Sequence, residues 1–172
     1  MSISLFILRH ATAQDHAAGL PDDDRALVAK GEKQSRDVAR FCAQHGLLPE
    51  RLLSSPVRRA WQTATLLHEQ LPDCPAPQAT LWLSTRTDAT QIQQGLAGLW
   101  QGPAPVRDGE RIFLVGHEPH LSHTLALLLG SERLQVEVKK ASLTHLAIDS
   151  SPAQPRWPAA RLCWSLPCAL MR

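Results

Sequence analysis

Four side chains in this sequence are of a type, and at a position, that could handle an anion. Arg9 and His10 are adjacent and close the apolar run Ile3–Leu8. Arg59 comes shortly after Ser55-Pro56, and His117 sits between the apolar run Ile112–Val115 and Pro119. An arginine offers a planar fork of donors that matches two oxygens of a tetrahedral oxyanion, where lysine acts only as a point charge. A histidine titrates near neutrality and can serve as nucleophile or base. Alone, Arg9-His10 is weak evidence, since most histidines at strand ends are simply partly exposed polar residues. Brought together, two arginines and two histidines would make a tetrahedral-oxyanion pocket. No carboxylate pair or glycine-rich phosphate loop competes for that role.

The surrounding pattern can place them at one edge. Ile3–Leu8 is nearly unbroken in apolar residues, as a strand buried on both faces should be. It delivers Arg9-His10 to the carboxyl edge of a sheet, where open α/β folds put their ligand sites. A polar loop, His16–Arg25, leads to a helix over about Gly31–His45 that ends at Gly46. Arg51–Ser54 is a short strand, and Ser55-Pro56 should open a helix reaching Leu71, with proline in its favoured first position. A third strand is expected near Ala79–Leu83, then a helix from a Thr87-Asp88 cap to Trp100. Gln101–Glu110 reads as a surface loop and Arg111–Gly116 as a buried strand, with a helix from Pro119 through Leu129. Ser142–Ile148 and Arg161–Leu166 are expected as a final antiparallel pair around the proline-rich loop Ser150–Ala160. This alternation gives an α/β fold with a mixed, mostly parallel sheet, in one domain spanning residues 1–172.

Composition removes several function classes. A net charge of +2 with no run of basic residues gives no grip for nucleic acid. No apolar stretch reaches membrane-spanning length. The N-terminal run lacks a preceding basic residue and is cut from Ala11-Thr12-Ala13 by Arg9-His10, so a signal peptide is rejected and a cytoplasmic protein expected. Cys42, Cys74, Cys163 and Cys168 form no Cys-x-x-Cys pair and read as reduced thiols. His117, His120 and His123 do not share one helix face, because six residues turn the chain well away, so a metal site is not expected. The five tryptophans form no stripe and read as packing. His16, His45, His68 and His145 have no motif support.

The motifs resemble a known family. Leu8-Arg9-His10-Ala11 resembles the Arg-His-Gly signature of the histidine phosphatase superfamily. Ser55-Pro56-Val57-Arg58-Arg59-Ala60-Trp61-Gln62-Thr63 is similar to its Ser-x-x-x-Arg-Ala-x-Gln-Thr motif, and Val115-Gly116-His117-Glu118-Pro119 to its second histidine segment. Asp24-Arg25-Ala26-Leu27-Val28-Ala29-Lys30-Gly31 resembles the Asp-Arg-Pro-Leu-Thr-x-x-Gly stretch of the short SixA-type phosphohistidine phosphatases, and Trp164-Ser165-Leu166 suits their final strand. The matches run in order over nearly the whole chain.

The resemblance implies a phosphoglycerate mutase-like three-layer sandwich and a metal-free, cofactor-free phosphatase. His10 would be the nucleophile that takes the phosphoryl group, kept unprotonated by charge repulsion from Arg9, Arg59 and a protonated His117. Arg9 and Arg59 would hold phosphoryl oxygens, and His117 would stabilise charge on the transferring group. The family pattern selects Arg59 over Arg58, which lies about 100° around the helix and reads as solvated or a rim contact. The implied partner is a phosphorylated protein, a histidine phosphotransfer domain among the candidates. The alternatives are a phosphatase of small phosphoesters or phosphoanhydrides, or a phosphoprotein-binding module without turnover.

The chain departs from the family pattern at two points. Ala11 replaces the signature glycine, so the turn after His10 should not need positive φ. No carboxylate comes after the third strand, where larger members carry a general acid; Leu81-Trp82-Leu83-Ser84-Thr85-Arg86 stands there, and Asp88 reads as a helix start. Expelling imidazole from a phosphohistidine needs less proton donation than expelling an alkoxide, which favours a protein phosphohistidine substrate. Glu118 reads either as a proton donor or as a carboxylate at a helix N-terminus. Asp22, Asp23 and Asp24 read as a solvated acidic loop, with substrate contact the alternative, and His120 as exposed or at the pocket rim.

Overall fold

Nearly continuous apolar runs make the central strands, since each is covered on both faces. The computed structural model describes residues 2–131, 133–149 and 159–171. In chain order these form β1 (Ser2–Arg9), α1 (Ala29–Gln44), β2 (Arg51–Ser54), α2 (Arg58–Gln70), β3 (Gln78–Ala79), α3 (Ala89–Gln101), β4 (Arg111–Gly116), α4 (His120–Leu128), β5 (Leu143–Asp149) and β6 (Ala159–Leu166). One sheet runs in the order β3-β2-β4-β1-β5-β6. Its first four strands are mutually parallel, and β5 and β6 are antiparallel additions beside β1. The expected mixed α/β sheet and antiparallel ending are present; residues 150–158 of the proline-rich loop lie outside the described residues.

Side chains alternate across β1 and sort the core into two layers. Phe6 and Leu8 pack with Val38, Cys42, Ala60 and Leu67 from α1 and α2. Ile3, Leu5 and Ile7 pack with Ile92, Leu96, Leu121 and Leu125 from α3 and α4. Helices thus cover both sheet faces, giving three layers, and each fully buried leucine or isoleucine contributes about 1.5–3 kcal/mol of transfer free energy. Gly46, at φ +64, supplies the left-handed ending of α1, as expected of a glycine there.

Two elements differ from the sequence reading. The helix expected from Ser55-Pro56 begins only at Arg58, because Ser55–Val57 stays extended, with Val57 at φ −62 and ψ 130. The Ser55 hydroxyl accepts the Val57 N–H at 3.2 Å and so caps that extended entry. The strand expected at Ala79–Leu83 is only the two residues Gln78–Ala79, followed by a 3₁₀ turn at Leu81–Leu83. Its apolar triplet does not alternate across a sheet. Leu83 is buried beneath α3, Trp82 packs over Gly95, and Leu81 is left 77% exposed.

Candidate active site

Three adjacent parallel strands end at the same sheet edge. β1 delivers Arg9 and then His10, β4 delivers His117, and β2 delivers Ser55. Register fixes this alignment: Arg9 lies opposite Gly116, the His10 N–H donates to the Gly116 carbonyl at 3.0 Å, and the Ser55 N–H to the Val115 carbonyl at 2.9 Å. Arg59, in the first turn of α2, reaches the same edge. The four residues picked out by sequence therefore converge. The Arg59 Nε–H donates to His10 Nε2 at 3.3 Å, and the rings of His10 and His117 lie 5.0 Å apart at 50°.

The chemistry of His10 is set by its surroundings. Its Nδ1 lies 2.8 Å from the Ala11 carbonyl, which can only accept. Nδ1 therefore carries the proton, and the Nε2 lone pair points to Arg59. Burial pushes the His10 imidazole down to about 3; the Ala11 carbonyl opposes this, and the charges of Arg59, Arg9 and Lys140 add to it. Burial outweighs the charge repulsion expected from sequence. The turn after His10 is tied down by the Ala11 N–H donating to Thr63 Oγ1 at 3.1 Å, while Thr63 donates to the Arg59 carbonyl at 2.8 Å. Thr63 stands one helical turn beyond Arg59, so one face of α2 holds both the arginine and the His10 turn. Ala11 is not among the residues with positive φ, as expected.

His117 is 1% exposed, and its Nε2 meets Ser55 Oγ at 2.9 Å. Burial first, then repulsion of its protonated form by the protonated forms of His10, Arg59 and His120, hold it down to about 2, against a smaller upward pull from Asp22. The sequence expectation of a protonated His117 is thus corrected for the free site. A dianion placed between these groups would raise it again. Arg9 donates through Nη1 to the Val138 carbonyl at 2.8 Å. Burial lowers its pKa, Glu118 opposes that, and Arg59 reinforces it. Arg9 Nε and His117 Nδ1 are both buried without a partner among the described residues. Buried polar atoms are seldom left so, and an oxyanion lodged beside His10 would supply the missing partner.

The acidic residues sort differently from the sequence reading. Asp22 is not simply solvated: Arg59 Nη1 donates to its carbonyl at 2.6 Å and Arg59 Nη2 to its carboxylate at 2.9 Å. Asp23 pairs with Arg86 at 2.7 Å, and the Asp24 carbonyl accepts from Arg58 Nη1 at 3.3 Å, so Arg58 is a rim contact. Glu118 accepts from the Ser122 N–H at 3.2 Å and Ser122 Oγ at 2.6 Å, the helix-end reading of this residue. Asp88 caps α3 through a reciprocal pair with Gln91. His120 Nε2 meets the Thr87 carbonyl at 2.7 Å. Ser55 and Thr63 are the site residues that sequence reasoning gave no role, although both stand inside the quoted motif, and nothing in the sequence signals that Asp22 engages Arg59.

Among the described residues, no group of three or more His, Cys, Asp or Glu side chains could hold a metal ion. No helix among them is long and apolar enough to cross a membrane.

Comparison with known proteins gives the family and the fold. The model of the histidine phosphatase superfamily (branch 1) matches residues 5–82. An uncharacterised protein of Picosynechococcus is 32% identical over 145 residues, 84% of each chain. The fold is similar to that of the protein histidine phosphatase SixA in complex with tungstate, with a TM-score of 0.78, 22% identity, and 98% and 99% of the two chains covered. It is also similar to a mycobacterial glucosyl-3-phosphoglycerate phosphatase, with a TM-score of 0.68, 18% identity, and 95% and 98% covered. The chain belongs to the histidine phosphatase superfamily.

Proposed function

We propose that this phosphatase of the histidine phosphatase superfamily removes the phosphoryl group from phosphohistidine on a protein, by way of a covalent intermediate on His10. The observation that carries this reading is the state of His10: buried, neutral, with Nδ1–H held by the Ala11 carbonyl and the Nε2 lone pair facing the Arg59 guanidinium. His10 Nε2 attacks phosphorus, the P–N bond to the substrate imidazole breaks, and that imidazole departs with the bond pair. Arg9 and the open edge of Arg59 take the phosphoryl oxygens, and His117, with its unpartnered Nδ1, compensates the moving charge. Water then attacks the phosphohistidine on His10 and releases phosphate.

Proton supply favours this substrate. Partial burial alone would raise the Asp22 carboxyl, but hydrogen bonds and charge from Arg59 and Arg25 hold it below its ordinary range. It is thus a poor acid at neutral pH, and Glu118 is engaged by Ser122. An alkoxide would lack a ready proton donor, whereas a substrate imidazole can leave neutral if its other nitrogen already carries a proton. The roles are assigned without a metal or other cofactor. The free thiols of Cys42, Cys74 and Cys163 suit a reducing cytoplasm, and a histidine phosphotransfer domain is the partner whose chemistry fits.

A second reading has its own support. A cleft of about 510 Å³ lined by Asp23, Arg58, Arg86 and Thr87 adjoins the Asp22 turn and could seat a small leaving group. The two separate on relative turnover. Under the proposed function, kcat/KM for a histidine-phosphorylated protein should exceed that for sugar phosphates by at least about a hundredfold, the usual scale of a missing general acid. Activity should also survive exhaustive chelation without loss. The opposite preference would establish the phosphoester reading, and a chelation-sensitive activity would overturn the metal-free mechanism.

A further inference from the structure

Arg59 can grip a phosphoryl group only if its guanidinium is turned the right way, and Asp22 holds one edge of that guanidinium. A guanidinium has five N–H donors and two usable edges. Asp22 occupies the end-on edge with two of its three acceptor oxygens. Its main-chain carbonyl takes Nη1 at 2.6 Å, and its carboxylate Oδ2 takes Nη2 at 2.9 Å. That leaves the side edge, Nε–H with the second Nη2 hydrogen, directed at His10, where Nε–H already meets Nε2 at 3.3 Å. The phosphoryl group to be transferred has to enter at that place.

Asp22 is itself held. Its other carboxylate oxygen, Oδ1, accepts from Arg25 Nε at 2.8 Å and lies 2.7 Å from Arg25 Nη2, while Arg25 Nη1 donates to the Gln14 carbonyl at 2.7 Å. In the two residues that follow, Asp23 is bridged to Arg86 and the Asp24 carbonyl to Arg58. The short 3₁₀ turn Asp22–Asp24 is thus pinned to the start of α2 and to the segment before α3. Resting on the reading that Arg59 contacts the phosphoryl group, we propose that Asp22 is a positioning residue for transfer, acting through Arg59 and not on the substrate.

The carboxylate has two opposed effects on an incoming dianion. It orients the arginine, which favours transfer, and it carries negative charge, which disfavours ground-state binding. Its removal should therefore lower kcat while leaving KM nearly unchanged. The Asp22 side chain is 40% exposed, so its replacement opens no cavity in the core.

The test is a double-mutant cycle with N-phosphorylimidazole, whose leaving group is too small to engage a protein-docking surface. In the otherwise native chain, Asp22→Ala should lower kcat by about thirtyfold, with KM shifted less than about threefold. Asp22→Asn keeps an acceptor for Nη2 and should recover to within about threefold of the native rate. In an Arg59→Ala background, Asp22→Ala should change kcat by less than about twofold, since nothing remains to orient. Equal losses in both backgrounds, or a native rate for Asp22→Ala, would overturn the proposal while leaving the phosphoryl role of Arg59 standing. A native rate for Arg59→Ala would overturn that role and the proposal together.

Discussion

Acidification should destabilise this protein well before its carboxylates titrate, because two neutral histidines are buried in its site. In the unfolded chain a histidine titrates near about pH 6.5. In the folded chain His10 is pushed down to about 3 and His117 to about 2, chiefly by burial. Below about pH 6.5 the unfolded chain therefore binds protons that the folded chain refuses. Their stability contribution is fully present above that pH and is lost as pH falls toward the folded values. Each histidine gives a slope of about 1.4 kcal/mol per pH unit, so a shift from about pH 7.5 to about pH 5 costs about 2 kcal/mol apiece, or about 4 kcal/mol together. That is a large share of the roughly 5–15 kcal/mol by which domains are typically stable. His145, also lowered by burial, acts in the same direction. Urea unfolding across this range, on the native chain and on His10→Gln and His117→Gln, measures the effect. Each variant should lose about 1.4 kcal/mol per pH unit from the slope. Native and variant slopes that run parallel between about pH 6 and about pH 5 would refute the burial argument.

The geometry sets three further outcomes. A Cβ at Gly31 would lie 1.9 Å from the Thr12 carbonyl oxygen, so Gly31→Ala should destabilise by about 2–3 kcal/mol in urea unfolding. Thr63→Val strands the buried Ala11 N–H; it should cost about 1–2 kcal/mol and lower kcat, which thermal unfolding and steady-state assays would register together. Under native conditions a thiol reagent should label exposed Cys163 and spare Cys42 and Cys74, whose thiols burial pushes up to about 12 and about 11; mass spectrometry of the labelled peptides reads this directly.

Much of the site was legible because its residues stand where the hydrophobic pattern stops. Ile3–Leu8 and Ile112–Val115 are apolar runs that announce buried parallel strands, and Arg9-His10 and His117 stand at their ends. Arg59 was legible from the motif around it. The third strand was not, since Leu81-Trp82-Leu83 is as apolar as a strand, yet it folds into a turn against α3 and joins no strand among the described residues. Nor was Asp22: three consecutive aspartates in a loop look solvated until the fold carries Arg59 to them. The neutral state of His117 was hidden for the same reason, since burial, the largest cause of its shift, is a property of the folded chain.

The central claim is a covalent phosphoryl group on His10 Nε2. Rapid quenching of the enzyme with a radiolabelled histidine-phosphorylated protein, with peptide mapping of the quenched chain, tests it most directly. Acid-labile, base-stable label should appear on His10, linked through Nε2, before phosphate release, and should be absent together with turnover in a folded His10→Ala. Turnover without label on His10, or undiminished hydrolysis by His10→Ala, would contradict it.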